Sequence, residues 1–310
     1  MWFFPYRLDV SLYRIPFLTI VVCLACLATF LMQVKSSRLF ESNLTSYCSG
    51  ELDANLRAIL NSIDDASTGR GCANIFTALR ESKNRDAKIT QLSSEVNGLE
   101  FYQKNEDDIR YKESAIRYGY DEFESLVPAE LTDEIAYQPD RYNVITMITS
   151  TFAHASWSHL IGNLIFFFVF ASCVECALSS INFAIVFLVM SIVTSLAYSH
   201  SVSEAEALPS IGLSGVAMGM MALLTTLLPR ARIWCFFWFL VWFKRFTLPV
   251  LVIAAWYIAW NIYDLNAHDP SSRINYMAHV SGAFCGIVIG LFFRIATPKR
   301  IEQLTMAMQS

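Results

Sequence analysis

The stretch Ser158–Leu178, SHLIGNLIFFFVFASCVECAL, decides the fold class of this chain because it is long and apolar enough to cross a lipid bilayer. The hydrocarbon core of a bilayer requires about 20 mostly apolar residues per helix. Within the stretch the only Asp, Glu, Lys or Arg is Glu175, close to its end. The segment is therefore predicted to be a transmembrane helix.

Five other stretches are apolar over a similar length, which predicts an all-α polytopic membrane protein with six transmembrane helices. The chain is 55% hydrophobic and 16% charged, whereas about a quarter of an average soluble protein is charged. This composition excludes a disordered chain, a collagen-like fibre and a disulfide-dominated miniprotein, and it argues against a wholly soluble enzyme. The five other stretches are Ile15–Val34, Ile181–Ser199, Ile211–Leu228, Leu248–Leu265 and Asn275–Ala296.

A seventh apolar run, Ile233–Phe243, is too short to span a bilayer. Its tryptophans Trp234, Trp238 and Trp242 recur every fourth residue. Aromatic side chains on one helix face are typical of a helix that lies at the membrane interface. The run is therefore predicted to be an interfacial helix.

The polar part of the chain is residues 35–141, which carry 13 Lys and Arg against 20 Asp and Glu. This part is predicted to be a mainly helical insert between the first and second transmembrane helices. Its predicted helical segments are Asn55–Ile63, Cys72–Arg80 and Lys88–Arg117. The predicted organisation is 1–34 as the N-terminus and first transmembrane helix, 35–141 as the insert, 142–296 as the core of helices two to six, and 297–310 as the tail.

Two of the eight cysteines, Cys48 and Cys72, lie in the insert. Oxidation is available to them outside the cytoplasm, and their spacing leaves open whether they pair. The runs Cys23-Leu-Ala-Cys26 and Cys173-Val-Glu-Cys176 have CxxC spacing, but no further ligands accompany them. They are interpreted as small buried hydrophobic residues, and no metal site is expected.

The short loops indicate the orientation of the chain, because all of their basic residues except Arg273, which Asp264 and Asp269 outweigh, fall on the side of both termini. Since cytoplasmic loops are enriched in Lys and Arg, the termini are predicted to be cytoplasmic and the insert extracytoplasmic. The first span has no small-residue cleavage site and is expected to be retained; without a recognisable eukaryotic targeting signal, a bacterial inner membrane is expected. The sequence has no basic stripe that could neutralise phosphates, so no nucleic-acid partner is expected. The basic residues are Arg7, Arg14, Arg230, Arg232, Lys244, Arg245, Arg294, Lys299 and Arg300.

Three polar clusters open the second, fourth and sixth predicted spans, where a polar side chain in lipid is a functional-site hypothesis. In the first cluster His159 and Asn163 are four residues apart and share a helix face, so both can donate hydrogen bonds toward one point. The alternative is an interhelical polar clamp. His154 lies just before this pair.

The second cluster is Gly212-Leu213-Ser214-Gly215. Glycines beside the serine let another backbone approach, and the unpaired N–H groups at the start of a helix can hold an anion. A nucleophile with an oxyanion site requires this arrangement. A packing face of small residues is the alternative.

The third cluster places His279 one turn before the repeat Gly282-x3-Gly286-x3-Gly290, which forms one smooth helix face. A second helix can approach such a face closely enough for a short side chain such as Ser214 to reach His279. All three clusters lie a few residues inside spans that enter from the same side, about 5–10 Å below the outer surface at 1.5 Å per residue. Their shared depth favours a single site.

These residues resemble the rhomboid family of intramembrane serine proteases. The matching pieces are His159-x3-Asn163, Gly212-Leu213-Ser214-Gly215 and Ala278-His279-x2-Gly282-x3-Gly286, in the family's order, and Glu175 also matches a family position. The resemblance implies a six-helix rhomboid-like bundle in the lipid bilayer, a site that opens outward, transmembrane protein substrates and no cofactor.

The resemblance also implies a role for each matching residue. Ser214 corresponds to the nucleophile and His279 to the general base, while His159, Asn163 and the Ser214 backbone N–H correspond to the oxyanion hole. Because no acidic residue accompanies this pair in the sequence, a dyad is predicted, with His279 oriented by packing or backbone contacts. The supporting residues are expected to be Gly212, Gly215, Gly282, Gly286 and His154.

Three features depart from the family's pattern. The Trp-Arg pair often found in the first external loop is absent before His154, and Met218 stands where a tyrosine can stack on the base histidine. The insert is longer than a minimal member requires. It is expected to regulate access, recruit substrate or mediate self-association.

Three other functions compete with proteolysis. A catalytically inert rhomboid relative would use the same core to bind membrane clients. A small-solute transporter is disfavoured because the two halves of the chain show no inverted repeat. A metalloprotease is weakest because His154 and His159 are five residues apart and no His-Glu-x-x-His occurs.

Overall fold

The computed structural model of the chain describes residues 2–9, 14–63, 71–82, 84–94, 106–202, 208–239, 242–267 and 272–298. The chain divides into two compact units. The membrane unit comprises Met1–Gln33 and Thr132–Ser310, and the insert unit comprises Val34–Leu131.

The described residues form twelve α-helices and three β-strands, with a π-turn at Tyr47–Glu51 and a 3-10 turn at Ser150–Phe152. The strands are β1 (Trp2–Leu8), β2 (Arg232–Phe239) and β3 (Trp242–Pro249). The helices are α1 (Phe17–Ser46), α2 (Ala54–Ile63), α3 (Gly71–Glu81), α4 (Arg85–Ser94), α5 (Glu106–Leu126), α6 (Leu131–Ile135), α7 (Val144–Thr149), α8 (Trp157–Leu178), α9 (Ser180–Ser201), α10 (Ser214–Leu227), α11 (Val250–Ala267) and α12 (Tyr276–Ala296).

The predicted mainly helical membrane architecture is confirmed. Among the described residues, α1, α8, α9, α11 and α12 are long and apolar enough to cross a membrane. The stretch predicted as the fourth span forms α10, which has only 14 residues. A helix of that length rises about 21 Å, less than a bilayer core. Twelve of its residues are buried, so the other helices, rather than lipid, surround it.

The predicted interfacial helix at Ile233–Phe243 is wrong, because the described residues of this run belong to strands β2 and β3. Strand β2 pairs antiparallel with both β1 and β3 in a three-stranded sheet. Aromatic and β-branched residues favour strands, and alternate residues of a strand share a face. A spacing of four is therefore a strand period as well as a helix period. Ile233 and Cys235 are fully buried whereas Trp234 is 37% exposed, which is the alternation of a strand.

Glu175 joins the end of α8 to the start of α1. Its fully buried carboxylate accepts hydrogen bonds from the backbone N–H groups of Leu18 at 3.1 Å and Thr19 at 2.8 Å. It also accepts from the hydroxyls of Thr19 and Ser180. The first N–H groups of a helix have no partner within the helix, and a negative charge there is favourable. Glu175 is therefore the N-terminal cap of α1.

Helices α10 and α12 meet backbone to backbone along their glycines. A Cβ atom on Gly282 would collide with the carbonyl oxygen of Gly215, and one on Gly286 with that of Gly219. Helices approach this closely only where small residues line both faces. The contact holds the first turns of α10 and α12 side by side, as the glycine repeat predicts.

The insert unit has its own hydrophobic core, with Phe76, Tyr120 and Phe123 fully buried. Helices α2 and α3 cover the predicted segments Asn55–Ile63 and Cys72–Arg80. The predicted segment Lys88–Arg117 corresponds to parts of α4 and α5, and residues 95–105 between them lie outside the described residues.

A disulfide joins Cys48 to Cys72 in the insert unit, with the two Cα atoms 5.8 Å apart. The bond ties the π-turn at the end of α1 to the first turn of α3. The pairing that the spacing left open is therefore present.

Candidate active site

Ser214 and His279 form a hydrogen-bonded pair. The hydroxyl oxygen of Ser214 lies 2.7 Å from Nε2 of His279, although the residues are 65 positions apart in the chain. Ser214 is the first residue of α10, and His279 lies in the first turn of α12. Both side chains are only half-buried, so a reactant can reach them.

Local capping explains why both residues stand at helix starts. Gly212 has a φ of +122°, which strongly favours glycine, and its N–H donates to the Ser150 carbonyl at 2.9 Å. This turn ends the preceding loop two residues before Ser214. At α12 the Asn275 side chain accepts a hydrogen bond from the Ala278 N–H at 2.9 Å, which is an N-cap.

His159 and Asn163 lie beside the turn that precedes Ser214. A Cβ atom on Gly212 would be 3.0 Å from His159 Nε2 and 3.7 Å from Asn163 Nδ2. Asn163 is buried, and its Nδ2 has no hydrogen-bond partner among the described residues. A buried donor without a partner is costly, so this amide is available to an acceptor that enters the site.

His154, in the loop before α8, packs against His159. The two rings are in edge contact with centroids 5.1 Å apart, and the backbone N–H of His154 donates to Oε1 of Gln33 at 3.0 Å. Burial, and to a smaller extent the neighbouring His159, lowers the pKa of His154 to about 4. His154 is therefore neutral at pH 7 and adds no charge to the site.

Asn261 on α11 is the polar residue at the site that sequence reasoning missed. Its Oδ1 lies 2.7 Å from Nδ1 of His279, and its Nδ2 donates to the Tyr257 carbonyl at 2.8 Å. The expectation that packing or backbone contacts alone orient His279 is wrong, because a side chain contacts the ring. An amide inside an apolar span was the available signal.

The aromatic contact of His279 also differs from the family's pattern. Met218, one turn after Ser214, is buried within α10. A ring in edge contact with His279 is Tyr276, from the same helix, with centroids 6.3 Å apart.

No group of three or more His, Cys, Asp or Glu side chains that could hold a metal ion occurs in the described part of the chain.

Comparison with known proteins assigns the family. The Rhomboid domain matches residues 141–296, which is half of the chain. The chain belongs to the rhomboid family. It is therefore a mainly helical, multi-pass membrane protein, and its helices α8 to α12 lie within the rhomboid domain.

A relative of this rhomboid is Rhomboid-like protein 11, chloroplastic, of Arabidopsis thaliana. The two are 28% identical over 142 residues, which covers 46% of this chain and 50% of the relative. The chain thus matches about half the length of this relative, and the match supports family membership rather than a particular activity.

The structure brings the residues of the three sequence clusters together in this rhomboid domain. Ser214 contacts His279 directly, and His159 and Asn163 flank the turn before Ser214. The supporting residues fall into two groups. Gly212 makes the turn and His154 packs on His159, while Gly215, Gly282 and Gly286 line the contact between α10 and α12.

Proposed function

We propose that this rhomboid is an intramembrane serine endopeptidase that cleaves transmembrane-helix substrates through Ser214 and His279. The 2.7 Å separation of the Ser214 oxygen from His279 Nε2 carries the proposal. A serine hydroxyl becomes a competent nucleophile when a base lies within about 2.6–3.2 Å. The pair meets that requirement before any substrate is present.

In the proposed reaction the Ser214 oxygen attacks the scissile carbonyl carbon while His279 Nε2 accepts the hydroxyl proton. Collapse of the tetrahedral intermediate breaks the C–N bond, and His279 gives the proton to the leaving amine. Water then attacks the acyl-enzyme with His279 again as the base, and the second product leaves as a carboxylic acid. The side chain that contacts His279 Nδ1 is the neutral amide of Asn261 rather than a carboxylate.

We assign stabilisation of the oxyanion to His159, Asn163 and the Ser214 backbone N–H. Asn163 Nδ2, which has no hydrogen-bond partner among the described residues, supports this assignment, because a donor held ready for developing charge needs no reorganisation during the reaction. The backbone N–H groups at the start of α10 add to it, since the first turn of a helix leaves them without intrahelical partners. Donors of this kind are among the largest contributors to rate in acyl transfer.

We propose substrates that are membrane helices with helix-weakening residues near the outer face. A scissile carbonyl must leave its own helix hydrogen bond before it can enter the site, and unpaired backbone is costly in lipid. Residues such as glycine and proline lower that cost. The insert unit, with its own core, is proposed to recruit such substrates, regulate their access or mediate self-association.

We further propose that both termini are cytoplasmic, that the site opens to the extracytoplasmic side, and that the protein resides in a bacterial inner membrane. The sheet supports the orientation, because exposed basic side chains lie on all three of its strands, which adjoin the start of α1, the end of α10 and the start of α11 in the chain. Basic residues are enriched on the cytoplasmic side. The exposed basic residues of the sheet are Arg7, Arg232, Lys244 and Arg245.

The test is covalent labelling of the full-length protein in lipid nanodiscs by a fluorophosphonate, together with cleavage of a membrane-spanning substrate. The wild type is expected to be labelled at Ser214 and to cleave, and Ser214→Ala and His279→Ala to do neither. Ser172→Ala is the control, because its hydroxyl donates to the Phe168 carbonyl within α8. Full cleavage by Ser214→Ala would refute the proposal. A folded wild type without labelling or cleavage would instead favour the client-binding alternative.

A further inference from the structure

We infer that Asn261 is a positioning residue that fixes the proton of His279 on Nδ1 and so leaves Nε2 free to accept the proton of Ser214. The inference rests on the proposed function, since it assigns a third member to the Ser214–His279 pair. It begins from two hydrogen bonds made by one amide. Asn261 Oδ1 lies 2.7 Å from His279 Nδ1, and Asn261 Nδ2 lies 2.8 Å from the Tyr257 carbonyl oxygen.

The second hydrogen bond determines which way the amide points. A carbonyl oxygen only accepts, so the group that faces Tyr257 must be the NH₂ of Asn261. Rotating the amide by half a turn would bring two oxygens together and lose that bond. The amide oxygen is therefore held toward His279. Asn261 is 7% exposed, so water offers little competition for either bond.

The amide then determines the tautomer of the ring. An amide oxygen has no proton to donate, so His279 Nδ1 must carry the hydrogen of the 2.7 Å contact. A neutral imidazole carries one N–H, and Nε2 is left as an acceptor. That nitrogen is the one 2.7 Å from the Ser214 hydroxyl. In the hydrogen-bond network from Tyr257 to Ser214, the donors are therefore Asn261 Nδ2, His279 Nδ1 and the Ser214 hydroxyl.

The position of Asn261 suits this role in a membrane. When His279 takes the proton from Ser214 it becomes positively charged, and an oriented amide dipole against Nδ1 stabilises that charge. A carboxylate would stabilise it more, but a buried charge in a transmembrane helix is expensive. Asparagine supplies the acceptor without a permanent charge. A mere packing clamp between α11 and α12 would have no effect on which ring nitrogen is protonated.

The experiment compares Asn261→Leu and Asn261→Asp with the wild-type, full-length protein in lipid nanodiscs. Asn261→Leu has a similar shape without the acceptor, and Asn261→Asp restores an acceptor. Asn266→Leu is the matched control, because Asn266 is an exposed residue of α11 whose Nδ2 also donates to a carbonyl one turn back. Two readouts are used: the rate of fluorophosphonate labelling with kcat and KM for a membrane-spanning substrate, and the ¹⁵N NMR shifts of His279.

Wild-type His279 is expected to be protonated on Nδ1, and Asn261→Leu to lose this preference. In Asn261→Leu the labelling rate and kcat are expected to fall about 10- to 100-fold with KM nearly unchanged, from the loss of one hydrogen bond to a charged group. Asn261→Asp is expected to recover part of the rate, because its carboxylate accepts from His279 Nδ1 but cannot donate to the Tyr257 carbonyl, and Asn266→Leu is expected to match the wild type.

Two results would overturn the inference: wild-type His279 protonated on Nε2, or a folded Asn261→Leu variant with the wild-type labelling rate and tautomer. Because the tautomer of the wild type is measured without any substitution, the inference can fail even if Asn261→Leu does not fold. Absence of labelling in the wild type would contradict the proposed protease, while the tautomer would still report on Asn261. The two failures are therefore distinguishable.

Discussion

A single methyl group at Gly282 is predicted to slow the proposed reaction strongly without touching Ser214 or His279. A Cβ atom there would overlap the carbonyl oxygen of Gly215, approach its carbonyl carbon to 2.9 Å and approach Thr194 Cγ2 to 3.2 Å. Ordinary contacts of a Cβ atom begin at 3.4 Å. Two of these three atoms belong to the backbone, which cannot rotate away, so α10 and α12 must separate.

The required separation is large compared with the tolerance of the Ser214–His279 hydrogen bond. A displacement on the order of 1 Å would stretch that 2.7 Å contact beyond the ~3.2 Å limit of a good hydrogen bond. A misplacement of about 1 Å can cost about 100-fold in rate, and overpacking costs about 1–3 kcal/mol in stability. Gly282→Ala is therefore expected to fold with a lower unfolding midpoint and to be labelled about 100-fold more slowly at Ser214.

The assay is the rate of fluorophosphonate labelling per folded molecule in nanodiscs, with thermal unfolding measured on the same samples. Gly162→Ala is the matched control, because Gly162 is also a helical glycine, and a Cβ atom added to it would meet no described atom within 4 Å apart from its chain neighbours and its own helix backbone. It is expected to label at close to the wild-type rate. A Gly282→Ala protein that labels as fast as the wild type would refute the reasoning that glycine packing sets the geometry of the pair.

Three further predictions concern other parts of the molecule. Asn163→Ala is expected to lower kcat about 100- to 1000-fold with little change in KM, because it removes a donor for the oxyanion; an unchanged kcat in steady-state cleavage would exclude that role. Replacing Cys48 and Cys72 by alanine is expected to destabilise the insert unit by about 3 kcal/mol. An added protease should then digest residues 34–131 faster than in the wild type, and an equal rate of digestion would contradict the prediction. His154 has a pKa of about 4 in the folded protein against 6.5 ordinarily. Between about pH 6.5 and pH 4 the His154 ring is therefore protonated in the unfolded chain but neutral in the folded protein, so the folded protein loses stability as the pH falls through this range. The thermal midpoint of the wild type should therefore fall more from pH 7 to pH 5 than that of His154→Gln, and equal shifts would contradict the assignment.

Much of the membrane unit could be predicted because the lipid environment restricts which residues a spanning helix can contain, and this restriction leaves two clear signals in the sequence. Apolar runs long enough to span a bilayer mark helices, and polar residues inside such runs stand out as costly. His159, Ser214 and His279 were found in this way. The repeat of glycines then indicated which two helices meet, and the Gly215–Gly282 contact agrees with it.

The sheet could not be predicted because its pairing is not local. Strand β2 pairs with β1, whose residues lie more than 220 positions earlier in the chain. Spacing within Ile233–Phe243 fits a helix and a strand alike, and only the partner strand decides between them. An interfacial helix therefore satisfied every local observation.

Asn261 was missed for a different reason. A lone amide in an apolar span shows that something polar is near, but the partner comes from another helix. Its distance to His279 depends on how α11 packs against α12, which no spacing within Leu248–Leu265 reports. The interaction is therefore visible only once the helices are assembled.

The burial of α10 among the other helices has a consequence for how this protein tolerates membranes of different thickness. Helices α8, α9, α11 and α12 present apolar side chains outward and must adjust their tilt when bilayer thickness changes. Helix α10 has almost no exposed surface, so lipid makes few direct contacts with the helix that carries Ser214. We therefore expect a change in bilayer thickness to alter the tilt of the outer helices while the Ser214 hydroxyl keeps its position within the bundle.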